Sequence, residues 1–287
     1  MPKKGDAWRS PRGSTINEFK RHIMEPMLDE LFAELAVAMM DRIKVVHRGE
    51  GYIVVTIDST PAEASRYNFD ADFNTHYMVR MDKMNIIMMD GMPLFMIPTD
   101  GNTSDTKPMD DLFSLLDRYS AQSGMDRDVM KVMADSGYDS FLSFDTVHRH
   151  TGAVMNCPVR EGSVYHDEAS WKNLQRAYSG SYRMKGFDPE RKNDREFVLN
   201  FLRKCGKSEL VGMYLRNLEM ERMQKQLEEG VKDTDREVCE VMHHSMKSWV
   251  DFTTKKIRHA TRHVTLKCKF FVVQLLSVIF KGYVQID

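Results

Sequence analysis

Apolar side chains recur at helical spacing between residues 15 and 44, where Ile23, Met27, Leu28, Leu31, Leu35 and Met39 share one stripe, and this predicts an amphipathic helix. The period then changes. Tyr52 to Ile57 is almost wholly β-branched or aromatic, as a buried strand is, and Asp58 follows with Ser59, Thr60 and Pro61 breaking the run. A second strand is expected across Thr75 to Met88 and a third across Leu94 to Thr99; the Asp90-Gly91 pair between them marks a hairpin turn. Past TDGNTSDTKP, the residues Leu112, Leu115, Leu116 and Tyr119 restore helical spacing until Gly124 closes the helix. Val129 to Ala134 predicts a further strand, which ends in ADSGYDS. Asp139 is placed as the cap of a helix over Phe141 to His150, and Ala153 to Val159 is expected to supply a fifth strand.

Strands with a hairpin, followed by helix, strand, helix and strand, predict an α/β fold: a mixed sheet with helices packed on it. Residues 160 to 230 are rich in glycine and charge and are expected to form an inserted subdomain, with a short helix across Phe197 to Lys204 and a strand across Val211 to Arg216. Two helices are expected near the end, from Asp235 to about Ile257 and from about Thr261 to Tyr283. The longest apolar run, FFVVQLLSVIF at residues 270 to 280, falls short of the roughly 20 residues a bilayer requires and predicts a buried core helix.

Charge changes this picture only locally, because 41 basic residues balance 42 acidic ones. The four cysteines lie far apart with no Cys-x-x-Cys pair, which excludes a disulfide framework and fits a reducing, cytoplasmic setting. The start, MPKKGDAWRSPRGS, is polar and basic without an apolar centre and is not a secretory signal. The 23 methionines are read as adaptable core filling.

Candidate chemistry begins with Asp58 and Asp135, each of which leaves an apolar strand. A lone aspartate beside Ser-Thr-Pro commonly caps a turn. Two of them at the carboxyl ends of neighbouring strands converge on one crevice, where they can share a cation. A third acid is sought in DTDREVCEVMHHSMKSWVDF. With Arg236 as origin and about 100° per residue, Glu240 falls at about 40°, Lys247 at about 20° and His243 at about −20°, whereas Glu237 falls at about 100°. The bland account of this face is a solvated helix with an Arg-Glu pair worth tenths of a kcal/mol. The functional account turns Glu240 toward the two aspartates, with Arg236 and Lys247 meeting phosphate oxygens.

Together, IDSTPAEASRYNFDADFNTHY, IPTDGNTSDT, ADSGYDS and the register Arg236-x3-Glu240-x6-Lys247 resemble the DDE transposases of prokaryotic insertion sequences, in particular the group with a Tyr-x2-Arg-x3-Glu-x6-Lys signature. The tyrosine position of that signature is Asp233 here. The resemblance covers roughly residues 50 to 160 and 231 to 287. It implies an RNase H-like catalytic core, a five-stranded mixed sheet with flanking helices, interrupted by an insertion before the last acidic helix. The corresponding organisation is a basic arm and helical segment at 1–49, the first part of the core at 50–159, the insertion at 160–230 and the C-terminal helices of the core at 231–287.

By the same resemblance Asp58, Asp135 and Glu240 are the catalytic acids and the ligands of two Mg²⁺ or Mn²⁺ ions, and Arg236 and Lys247 hold DNA phosphates near the cut end. The implied partners are double-stranded DNA, as transposon ends and target, and a second protomer. A nuclease of this fold that does not join ends, and a non-catalytic DNA-binding copy, are the alternatives. From Lys247 to Lys269, seven Lys or Arg, among them Lys255, Lys256, Arg258 and Arg262, stand against one acid, Asp251. Next to the third acid, such a run is expected to track a phosphate backbone. His243 is expected to look into the active site, while His148 and His150 lack a third ligand at zinc spacing.

Overall fold

The computed structural model describes residues 18–47, 51–64, 71–128, 130–158, 160, 191–231, 239–244 and 263–284. After a π-helical turn at Lys20–Met24 comes helix α1 (Glu25–His47), then strands β1 (Ile53–Glu63), β2 (Phe73–Asn74), β3 (Val79–Met89) and β4 (Met92–Asp100). Helix α2 (Met109–Ser123), strand β5 (Met130–Ala134), helix α3 (Phe141–Thr151), helix α4 (Lys192–Lys204) and helix α5 (Ser208–Glu228) follow. Residues 239–244 form a helical segment, α6, and the last helix is α7 (His263–Val284). The protein is thus α/β with a five-stranded mixed sheet: β3 pairs antiparallel with β1, β4 and the short β2, and β5 pairs parallel with β1.

Strand alternation divides the core. Ile53, Val55 and Ile57 of β1, with Ile87 and Met89 of β3 and Val132 and Ala134 of β5, face a large cluster shared with α2, α3, α4, α5 and the second half of α1. Met84, Ile86 and Met88 of β3 face a smaller cluster made with Leu28 and Phe32 of α1 and Leu266, Phe270 and Val273 of α7. The hairpin at Asp90-Gly91 forms as expected, with φ of 47° and 74°, the two positive values a type I′ turn requires.

Several expectations need correction. Residue Ile23 lies in the π turn, which rotates it off the helical stripe, and Ile23 and Met27 are both exposed. The buried side of α1 runs instead through Leu28, Phe32, Ala36, Met39, Met40 and Ile43, because the helix lies over edge strand β4 and meets α7 with its first half and α2 with its second. Strand β1 does not stop before Asp58 but continues to Glu63; beyond Ile57 it has lost β5 as a partner, and an edge stretch tolerates Pro61. The fifth strand is β2, since Ala153 to Pro158 contributes only an isolated bridge between Asn156 and Met133. Val211 to Arg216 is helical, part of α5, and its Val211, Tyr214 and Leu215 enter the main core.

No helix among the described residues is long and apolar enough to cross a membrane. The four cysteines form no disulfide.

Gly212 sits where α5 crosses the start of α3, and a Cβ there would overlap the Phe141 carbonyl. Gly212→Ala should therefore destabilise the protein by about 1–3 kcal/mol, read from the urea midpoint, as overpacking does. An unchanged midpoint would show that the two helices can separate at no cost.

Candidate active site

The parallel register of β1 and β5 ends at the pair Ile57 and Ala134, so Asp58 and Asp135 are the next residues on the two adjacent chains. Residues two apart on a strand share a face. Asp58 lies on the face of Thr56 and, across β3, of Ile86, opposite to the Ile53–Val55–Ile57 face that fills the main core. Asp135 leaves β5 in phase with Met133, the cross-strand neighbour of Thr56. The sheet therefore delivers both carboxylates to one side at one level.

A dense set of bonds fixes the chain just after Asp135. Its Oδ1 accepts from the Gly137 amide at 2.7 Å and caps the 3₁₀ turn Ser136–Tyr138, while its carbonyl accepts from Cys157 Sγ at 3.0 Å. Burial, with the nearby Asp139 and Asp135, pushes the Cys157 thiol far up, so it stays a protonated donor. Asp139 is not the cap of α3. That role belongs to Ser140, which accepts from the Ser143 amide at 3.2 Å. Asp139 instead receives Arg216 of α5 through Nε at 2.6 Å and Nη2 at 3.0 Å, and the Arg160 amide at 3.0 Å. Arg160 Nε also donates to the Ser136 carbonyl at 2.8 Å.

The segment α6 lies on the same side of the sheet. Its His243 is 2% exposed; Nε2 is 3.0 Å from Thr56 Oγ1, and Nδ1 is 3.8 Å from Asp58 Oδ2. Cys239 is buried and Met242 packs against the smaller core cluster, so these residues face inward with His243. Glu240 precedes His243 by three residues, about 60° away around the helix axis, and is exposed on the flank of that face.

Tyr138 is buried in the main core within electrostatic reach of the acids, and its phenol is raised well above its usual range by burial and then by Asp58, Asp105, Asp135 and Cys239. It remains neutral. Sequence reasoning did not single out Tyr138 or Asp105, though they lie within the stretches ADSGYDS and IPTDGNTSDT that carry the resemblance. Lys83 of β3 holds Asp105 through an ion pair at 2.9 Å.

Asp58, Asp135 and His243 are thus brought to one side of the sheet with Glu240 at its margin. Arg236, Lys247, Lys255, Lys256, Arg258 and Arg262 lie outside the described residues, as does Asp233. His148 and His150 are structural: His148 Nε2 lies 3.1 Å from Glu196 and its Nδ1 accepts from Arg203, and His150 pairs with Asp110 at 2.9 Å. Among the described residues, the group of three ligating side chains whose atoms lie within 4.8 Å of one another is Asp82, Asp100 and His263, not Asp58, Asp135 and Glu240. Comparison with protein-family models, curated proteins and solved structures yields no match.

Thr56 and His243 are both fully enclosed, so Thr56→Val removes the partner of a buried imidazole nitrogen without changing side-chain size. The expected loss is about 1–3 kcal/mol in urea denaturation. A variant as stable as the parent would mean that α6 is not held to β1 by this bond.

Proposed function

We propose that this protein is a DDE-type transposase, with an RNase H-like core that cleaves double-stranded DNA at the ends of a prokaryotic insertion sequence and joins the ends to a target. The observation that carries the reading is the shared face and level of Asp58 and Asp135 on adjacent parallel chains, with the Glu240-bearing segment packed beside them through His243. A five-stranded mixed sheet covered on both faces is compatible with such a core.

The three acids offer the hard oxygen ligands that Mg²⁺ or Mn²⁺ takes, and a pair of such ions about 4 Å apart would serve both ends of a phosphodiester displacement. Asp58, Asp135 and Glu240 would hold that pair, which when bound polarises the phosphate and its leaving oxygen. His243 fixes the approach of α6 to Asp58, and Tyr138, buried within electrostatic reach of the acids, stays neutral and adds no charge. Arg236 and Lys247 would position the phosphates at the reacting end, and Lys255, Lys256, Arg258 and Arg262 would bind the duplex further along. Two DNA ends call for two protomers, and the reaction is placed in the prokaryotic cytoplasm.

The test uses the full chain and a supercoiled plasmid that carries the coding region with its native flanks. Divalent-metal-dependent nicking and joined products are expected. Asp58→Asn, Asp135→Asn or Glu240→Gln should each lower cleavage by on the order of 100-fold or more and leave duplex binding within about threefold, because binding rests on basic side chains. Full cleavage by all three variants overturns the proposal. Full cleavage by Glu240→Gln alone moves the third acid to Glu237.

Binding tests the basic run separately. Neutralising Lys255, Lys256 and Arg258 together should weaken binding to any duplex and flatten its salt dependence by nearly one unit of slope for each phosphate that no longer meets a cation. An unchanged slope would make the run a solvated face.

A further inference from the structure

A second acidic cluster lies away from Asp58 and Asp135. Asp82 of β3 and Asp100 of β4 are direct cross-strand partners, and Asp82 pairs on its other side with Ala62 of β1, four residues beyond Asp58. At about 3.3 Å per residue this puts Asp82 roughly 13 Å along the strand from Asp58, too far to share an ion. His263, the first residue of α7, closes the group, with Nε2 3.7 Å from Asp100 Oδ1.

Two features set the group apart from ordinary surface acids. Asp82 is 4% exposed, yet no hydrogen bond reaches its carboxylate among the described residues. Like charges directly opposite on paired strands repel, and a largely buried carboxylate gains from a cation beside it. Burial raises the Asp82 carboxyl, His263 opposes the rise, and Asp100 and Asp72 add to it. The ligand atoms of Asp82, Asp100 and His263 already lie within 4.8 Å of one another, against the 3–4 Å or so expected for ligands about 2.1 Å from one ion.

We propose that Asp82, Asp100 and His263 form a binding site for one divalent first-row transition-metal cation, such as Zn²⁺ or Mn²⁺, distinct from the Asp58–Asp135 site. Two carboxylates and one imidazole suit these ions, and the imidazole disfavours Mg²⁺, which takes oxygen ligands. The ion relieves the repulsion between Asp82 and Asp100 and ties the start of α7 to the β3–β4 pair. His263 falls within the basic stretch that runs from Lys247 to Lys269. The site is therefore a clasp between the first residue of α7 and the β3–β4 pair.

The test is a Zn²⁺ titration by calorimetry on full-length, chelator-treated protein carrying Asp58→Asn, Asp135→Asn and Glu240→Gln, so that the other acids do not contribute. One Zn²⁺ per chain is expected, with affinity reduced roughly tenfold or more by His263→Ala or by Asp82→Asn, and with Mg²⁺ unable to compete at equal concentration. Thermal unfolding gives an independent reading. Zn²⁺ should raise the melting temperature of the parent but not of either variant, while in metal-free buffer Asp82→Asn should melt no lower than the parent because it removes the repulsion. Failure of the parent to bind Zn²⁺, equal binding by His263→Ala, or equal competition by Mg²⁺ overturns the proposal. A metal-free Asp82→Asn that melts well below the parent also overturns it, because Asp82 would then have a stabilising partner other than a metal.

Discussion

The parallel register between β1 and β5 governs both the core and the candidate site. Side chains alternate across a strand, so pairing Ile57 with Ala134 sends Ile53, Val55, Ile57, Val132 and Ala134 into the main core and Asp58 and Asp135 to the other face. A slip of one residue would reverse this and drive Asp58 into an apolar cluster, at the cost of burying an unpaired carboxylate. The apolar residues that stabilise the fold thus also fix the positions of the acids. Neither set can move without the other.

Buried ion pairs carry that constraint outward to the helices. Arg216 of α5 meets Asp139 with both side chains nearly sealed from solvent, and Arg203 of α4 meets buried Asp145 of α3 at 2.6 Å while also donating to His148. Removing one member of such a pair leaves a buried charge, a loss of about 3–5 kcal/mol. Burial works against ionised Glu196, but the His148 bond and the Arg203 and Arg195 charges outweigh it and hold that carboxyl below its usual range. Its contribution to stability is therefore present above the ordinary glutamate range and fades as pH falls through the lowered value. These interactions place α4 and α5, which come from the stretch expected to be an insertion, directly against α3 and the turn that carries Asp135.

Strands and helices with a clean period were legible from sequence: the hairpin at Asp90-Gly91, the helix closed by Gly124, and the strand entering Asp135 all stand near their expected places. What was not legible depended on partners distant in sequence. Pro61 marked the end of a strand by local rules, but β3 carries β1 on to Glu63. Val211 to Arg216 has strand-like composition in isolation, yet packing of Gly212 against Phe141 favours a helix. Asp139 had the local position of a cap and was drawn instead to Arg216, 77 residues away. At the site, Asp58, Asp135 and His243 could be named from strand ends and helix register. Thr56 and Tyr138 matter through cross-sheet proximity, which no local pattern records.

The apolar run in α7 shows the same limit from the side of packing. Its composition predicted a buried core helix; Phe270 and Val273 are buried, whereas Val272, Leu275, Val278 and Ile279 are exposed and the inward positions include Gln274 and Ser277. The β3–β4 register shifts between Ile87 and Met88, leaving Leu94 as an extra residue on the β4 side. Gln274 Nε2 donates to the carbonyls of Leu94 at 2.8 Å and Pro93 at 3.3 Å, supplying bonds at the point where the ladder is disrupted. A leucine there would add apolar packing and leave those carbonyls without this donor, which is the costlier arrangement in a dry interior. The polar residue in an apolar stretch is thus explained by a bulge about 180 positions earlier. It anchors α7 to the same β3–β4 pair that carries Asp82 and Asp100, so the start of the helix is held at the acidic cluster and its middle at the bulge.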